Sequence, residues 1–377
     1  MPDDFTTTLT VWRHYLHTRP ELSRQEHETA AFVCARLEEL GIPYESGIGG
    51  HGVVASLRRG GSNRSVGLRA DMDALPISEA TGKPYASQHQ GIMHACGHDG
   101  HTASLLGAAM LLRDDPEWSG QVHLLFQPAE EGFKGAHAMV EDGLFERFPM
   151  ERIFGYHNWP GLEAGTVMVH SGPVMAGAAN FEITLKGHAG HAGMPHLCAD
   201  PVQGIAQLIV AVNAIVARNL PPVQAGVIST CTLKAGDAQN QVPERASMGG
   251  TIRAFSADAM ELLKRRLAET AEGIAAAFGL KAEIWIGGDL APTGNSLAEA
   301  ELAVAAARAA GLSVRRDMEP TMGAEDFGRF LADIPGAYAW IGNGPSAGLH
   351  NPAYDYNDEI LPVAARFLAA CARVALR

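Results

Sequence analysis

Between Met93 and Thr102 the chain reads M-H-A-C-G-H-D-G-H-T, which places His94, Cys96, His98, Asp99 and His101 within ten residues. Thiolate and imidazole are metal donors, and the interleaved glycines let the backbone fold tightly around an ion. A helix N-terminus with polar caps would account for Asp99 or Thr102 but not for the whole group. A second cluster, F-Q-P-A-E-E-G, sets Glu130 and Glu131 directly after the apolar run HLLFQ. Adjacent carboxylates at the end of a buried strand need compensation. A metal would supply it, one carboxylate binding the ion and the other taking a proton from water. The alternative is a solvated pair at a helix start. His157 ends the run RIFGYHN before Trp159-Pro160, and His350 follows AYAWIGNG in G-L-H-N-P. Either histidine by itself also reads as an ordinary core or surface residue. All four clusters fall at the ends of runs that read as strands, and in open α/β sheets ligands bind beyond the carboxyl ends of strands.

The elements that must position these residues are legible in the periodicity. Ser23 followed by Glu26 reads as a capping box that opens a helix through HETAAFVCARLEEL and stops at Gly41. The runs GVVASL, SVGLRA, QVHLLFQ and RIFGYHN read as buried strands, separated by helical stretches such as HTASLLGAAMLLRDD. That alternation predicts an α/β sheet covered on both faces. From about Gly177 to Asp289 the order becomes β-α-β-β-α-β, a ferredoxin-like order set inside a chain that afterwards resumes α/β alternation. The tail supplies a helix from Ser296 to about Ala310, the strand AYAWIGNG and a closing helix from Glu359. The expected division is a catalytic domain over 1–176 and 291–377, with an inserted domain over 177–290.

With 377 residues the chain exceeds one ordinary hydrophobic core, which leaves room for two domains and a cleft. Hydrophobic residues at 46% and charged residues at 19% describe a soluble globular protein, and no run reads as both apolar and long enough to span a bilayer. The N-terminus opens with acids and lacks the pattern of a secretory signal, so a cytoplasmic location is expected. Five scattered cysteines argue against a disulfide framework and fit a reducing compartment. A formal net charge of −13 disfavours nucleic acid and anionic membrane as partners.

The segments RADMDALP (from Arg69), MHACGHDGHT, PAEEG, YHNWP, GHAGHAGMPH, GTIR, GAEDF and LHNPAYDYND stand in this order along nearly the whole chain. As a set they resemble the M20 family of metallopeptidases, in its N-acyl-amino-acid amidohydrolase branch, which includes hippurate hydrolases and auxin-conjugate hydrolases. The resemblance implies a zinc-peptidase-like α/β catalytic domain with an inserted ferredoxin-like α+β dimerisation domain, working as a homodimer or a dimer of dimers. It implies two divalent metal ions per subunit, zinc, manganese, nickel or cobalt, with Cys96 bridging them and His98, Glu131, His157 and His350 completing the site. It makes Glu130 the general base. The wider family uses a His-x-Asp motif where this chain reads Asp71-Met72-Asp73. The departure fits a branch in which cysteine bridges, and leaves Asp73 to orient a ligand, although a turn residue at a strand end reads equally well there. His191 matches the histidine that reaches across the dimer to the oxyanion. Asn240 and Arg253 match positions that grip the substrate's free carboxylate, for which the planar guanidinium is suited; a surface ion pair is the plainer reading of Arg253. His188 and His196 read as residues that order their loop.

The implied reaction is hydrolysis of the amide bond of N-acyl amino acids to a carboxylic acid and an amino acid. A dipeptidase or carboxypeptidase of the same family, and a non-catalytic binder of amino-acid conjugates, are the alternatives.

Overall fold

The computed structural model describes residues 3–132, 134–317 and 319–377. The chain divides into two compact units, Met1–Gly172 with Gly294–Glu319 and Asp326–Arg377, and Pro173–Thr293 with Pro320–Glu325. The first begins with helix α1 (Asp3–His17), which buries Phe5, Leu9, Trp12 and Leu16 along one helical face. Helix α2 (His27–Leu40) follows and ends on Gly41 in the left-handed conformation that glycine adopts without strain.

The expected capping box does not form. No side chain of residue 23 or 26 caps α2; the Glu21 carboxylate instead accepts the backbone N–H of Glu28 at 3.0 Å and of Thr29 at 2.8 Å. Ser23 and Glu26 are drawn away to partners far along the chain.

Strands β1 (Tyr44–Ile48), β2 (Gly52–Arg59) and β3 (Ser65–Asp71), helix α3 (His98–Asp114), and strands β4 (Gly120–Gln127) and β5 (Ile153–Pro160) complete the first half of this unit. Strands β3 and β4 are parallel, as are β3 and β5. Their chain is Val-, Leu- and Phe-rich because they lie inside the sheet.

The second unit has strands β6 (Gly177–Lys186) and β7 (Gly190–His191), helix α4 (Pro201–Asn219), strands β8 (Gly226–Ala235), β9 (Gln241–Val242) and β10 (Arg245–Ala254), helix α5 (Ala257–Ala277) and strand β11 (Lys281–Leu290). The four long strands form an antiparallel sheet in the order β8-β10-β6-β11. Ile205, Leu208, Val212 and Ile215 of α4, with Leu263, Leu267 and Ala271 of α5, pack with Phe181, Ile183 and Leu185 of β6. Contrary to the reading of the sequence, α4 is long and apolar enough by length and composition to cross a membrane. Its one charged residue, Arg218, sits in the last turn, and one face serves the core of this unit.

The chain then supplies α6 (Leu297–Ala309), β12 (Gly336–Gly344) and α7 (Leu361–Ala375) to the first unit. Strand β12 runs parallel to β5, so the sheet reads β1-β2-β4-β3-β5-β12, continued by the short strands Val167–Met168 and Val314–Arg315. The carboxyl ends of β3, β4, β5 and β12 therefore point the same way. The five cysteines are not joined in disulfides among the described residues.

Candidate metal centre

Each parallel strand delivers polar side chains at its carboxyl end: Asp71 as the last residue of β3 with Asp73 just beyond it, Glu130 and Glu131 after β4, His157 near the end of β5, and His350 in the loop after β12. Cys96 and His98 arrive from the other side, at the start of α3. The turn between them is possible because Gly97 is left-handed (φ +89°), and a Cβ there would lie 2.4 Å from Asn158 Nδ2 and 2.6 Å from Tyr354 Oη. Asn158 Nδ2 also donates to the Cys96 carbonyl at 2.7 Å, so that close approach orients the cysteine.

The hydrogen bonds decide which histidines can bind a metal. His98 Nδ1 is 2.9 Å from the Asp73 carbonyl and must carry the proton there. Its Nε2 is buried with no hydrogen-bond partner among the described residues, 3.6 Å from Asp71 Oδ2 and 4.0 Å from Glu130 Oε2. His157 likewise donates from Nδ1 to the Asn158 carbonyl at 2.7 Å, leaving Nε2 3.2 Å from Cys96 Sγ. Burial, then the neighbouring His101, holds His157 well below the usual histidine range, so that it keeps its lone pair. His101 stands in the same motif but is already saturated. Its Nδ1 meets Asp71 Oδ1 at 2.5 Å and its Nε2 accepts the Asn158 N–H at 3.1 Å.

Donor atoms of Cys96, His98 and His157 lie within 4.8 Å of one another, and so do those of Cys96, Glu131 and His350. Cys96 is common to both groups. A thiolate with imidazoles and a carboxylate is the donor chemistry of borderline divalent ions, and the unsatisfied His98 nitrogen is what such an ion would satisfy. These residues therefore fit two ions that share Cys96. The field fits too. Burial opposes charge on His98, yet Asp71 and Asp73, with Glu131, push it up to about 10, so the surroundings favour a cation at this point.

Behind the donors lies a layer of which the sequence reading named only Asp73. Asp73 Oδ1 accepts the Glu130 N–H at 3.1 Å, and Oδ2 accepts the Glu131 N–H at 3.0 Å and the Ser23 hydroxyl at 2.6 Å. Asp73 therefore orients the paired glutamates as well as His98. Arg69, fully buried, ties Asp71 (2.7 Å) to Gln127 (2.7 Å), joining the ends of β3 and β4. Arg13 of α1 pairs with Asp99 at 2.6 Å, and His17 meets the same oxygen at 2.8 Å, which pins the first turn of α3. No periodicity could have signalled these contacts; a charged residue in register with the apolar positions of α1, as at Arg13, was the available clue.

Glu26 is also buried, and its Oε1 accepts the Ala129 N–H at 2.7 Å. Burial, with Asp73 adding to it against the hydrogen bonds it receives, pushes its carboxyl up to about 7 from the ordinary 4.5. Because the folded value is the higher one, the stability linked to its proton is complete below about pH 4.5 and is lost as the pH rises through 7. In metal-free protein, Glu26→Gln should therefore gain stability over wild type between pH 5 and pH 8, by on the order of 3 kcal/mol at most, and match it near pH 4. Urea unfolding across that range reads the difference; a constant gap at every pH would contradict the assignment.

In the second unit, His191 pairs with Gln241 across the β7–β9 ribbon, and Ala192 N donates to the Asn240 carbonyl at 3.0 Å. His191 is exposed, and its Nδ1 accepts the Gly193 N–H at 3.0 Å, which leaves Nε2 as the donor. His188 bridges to Ala199 at the base of the same loop, whereas His196 sits in a short 3-10 turn, exposed. Arg253 is elsewhere. It pairs with Ala178 at the start of β6, whereas Arg245 pairs with Lys186 at the end from which the His191 loop departs. Eight residues of strand separate these two pairs, about 26 Å at ~3.3 Å per residue. Arg253 is half-buried, has no acidic partner among the described residues, and burial lowers its pKa; the surface ion pair does not form. One copy of this unit thus presents His191 and Asn240 together and Arg253 far from both.

Residues 67–374 match the sequence pattern of Peptidase family M20/M25/M40. The chain is 40% identical to an N-acetyl-L-cysteine deacetylase of Bacillus subtilis (strain 168), over 96% of this chain and 86% of that one. It is 38% identical to a hippurate hydrolase of Campylobacter jejuni, over 96% and 94%. Among solved structures it resembles the YXEP protein of Bacillus subtilis, a dinuclear metal-binding M20 peptidase, with a TM-score of 0.89, 36% identity and 99% of each chain covered.

Proposed function

Because this chain belongs to the M20/M25/M40 peptidase family, we propose that it is a dinuclear metal-dependent amidohydrolase that cleaves N-acyl amino acids into a carboxylic acid and a free amino acid. The observation that carries this reading is the pair of donor groups sharing Cys96, with Glu130 buried at their edge. Its relatives act on N-acetylcysteine and hippurate, both of which join a carboxylic acid to an amino acid through an amide.

Cys96, His98 and His157 would hold one ion, and Cys96, Glu131 and His350 the other. Divalent ions held there would supply Lewis acidity to a carbonyl oxygen and to a water molecule. Glu130 takes a proton from that water as its oxygen bonds to the acyl carbon, and returns the proton to the nitrogen as the C–N bond breaks. His191 Nε2–H donates to the oxyanion. Arg253 and Asn240 hold the substrate carboxylate, Arg253 as a guanidinium still in want of an anion.

A single inserted unit cannot bring His191 and Arg253 to one small substrate across roughly 26 Å of sheet. A homodimer, in which two copies each contribute one end, satisfies both roles. The physiological metal is read as zinc, which sulfur and nitrogen donors suit, or as manganese, nickel or cobalt, since site geometry and metal supply also set occupancy.

The test is release of free amine from N-acetyl, N-benzoyl and indoleacetyl amino acids, beside dipeptides, in chelated enzyme resupplied with each of these metals. Metal-restored cleavage of at least one acyl amino acid, faster than of any dipeptide, is expected. Cleavage of dipeptides alone, or activity indifferent to chelation, would overturn the proposal.

A further inference from the structure

Three consecutive backbone N–H groups, of Ala129, Glu130 and Glu131, are held by two carboxylates: Glu26 takes the first, and Asp73 takes the second and third. Successive amides converge in this way when one residue turns left-handed, and here Ala129 has φ +51°. An alanine resists that conformation because its Cβ crowds the following carbonyl, so neighbouring contacts must hold it there. The Ala129 carbonyl is taken by Gly135 N at 3.1 Å, which closes the turn. Among the described residues its amide is taken only by Glu26, which arrives from the start of α2 fully buried. The second oxygen of Glu26 has no partner among the described residues. A group buried at that cost, with one strong hydrogen bond to a strained residue next to the paired glutamates, is suited to setting their direction.

We propose that Glu26 is a positioning residue for the base: it holds Ala129 left-handed, so that Glu130 leaves β4 towards the water and Glu131 towards the metal. The inference rests on the reading of Glu130 as base. Misplacing a base by an ångström can cost about a hundredfold in rate, whereas substrate binding, made elsewhere, is untouched.

The experiment compares metal-loaded wild type, Glu26→Met, Glu26→Gln and the double variant Glu26→Met with Ala129→Gly. Methionine keeps most of the volume and removes the acceptor; glutamine keeps the acceptor oxygen; glycine removes the penalty on positive φ. Glu26→Met should lower kcat about 30-fold or more with KM within about twofold, and Glu26→Gln should recover most of the rate. Ala129→Gly in the methionine background should restore about tenfold, because glycine adopts the turn unaided. A cavity or general loss of packing would not be repaired by deleting a further methyl group. Hydrogen exchange at the Ala129 amide, measured alongside, should quicken in Glu26→Met and stay slow in Glu26→Gln. Unchanged exchange in Glu26→Met, or a double variant no faster than the single, overturns the inference whatever Glu130 does. Faster exchange with undiminished kcat overturns the positioning role as well, whereas failure of the reading of Glu130 is seen separately, in a Glu130→Gln enzyme that keeps its rate. If methionine prevents folding, Glu26→Leu makes the same comparison.

Discussion

Glu130→Gln is expected to lower kcat by about 100-fold to 10,000-fold while the protein binds as much metal as wild type, because general base catalysis contributes factors of this size. The amide is nearly isosteric with the carboxylate, so the loop held by Asp73 through the Glu130 and Glu131 N–H groups remains intact. What is lost is the ability to accept a proton. Glu131 provides the contrast, since it shares a donor group with Cys96 and His350, whereas Glu130 groups with His98 and Glu131 but not with Cys96. Glu131→Gln should shed metal, and Glu130→Gln should not. Steady-state kinetics with an N-acyl amino acid and elemental analysis of both variants separate the two roles. A Glu130→Gln enzyme that keeps more than half the wild-type rate would remove this residue from the mechanism.

The second large effect is expected at Arg253, and it is selective. Arg253→Ala should weaken kcat/KM for substrates with a free α-carboxylate by roughly 30-fold to 1,000-fold, the consequence of losing about 2 to 4 kcal/mol of charge-assisted pairing. The matching α-carboxamides should change little. Arg253→Lys should recover only part of the loss, since a point charge cannot reproduce the guanidinium fork. Equal losses on both substrate types would show that Arg253 supports the fold or the oxyanion. The placement of Arg253 and His191 at opposite ends of the β10–β6 pair adds a sharper test. If the two serve different active sites of a dimer, mixing Arg253→Ala with His191→Ala subunits creates one site in which both residues are intact. If one copy supplied both residues to the same site, no intact site could arise. Recovered activity in mixtures shown to exchange subunits would support the dimer; none would refute it.

The order of elements, the insertion of a ferredoxin-like unit and the four donor clusters were legible in the sequence alone. They depend on local information: periodicity, turn residues, and the rule that ligands gather beyond the carboxyl ends of parallel strands. The bridging role of Cys96 came only from family resemblance; in the structure its sulfur belongs to two donor groups. The selection among equivalent residue types was different. His98 and His101 stand in one motif, yet Asp71 and Asn158 saturate the second, while Nε2 of the first has no partner among the described residues. Ser23 and Glu26 have the spacing of a capping box, but their partners are Asp73, 50 residues on, and Ala129, 103 residues on. Arg13 reaches Asp99 across 86 residues. Local preference for a cap offers about 1 kcal/mol, which a buried amide or carboxylate in need of a partner outweighs. A hydrogen-bonding group can be recognised in the sequence, but which partner satisfies it is decided by which strands the fold brings side by side.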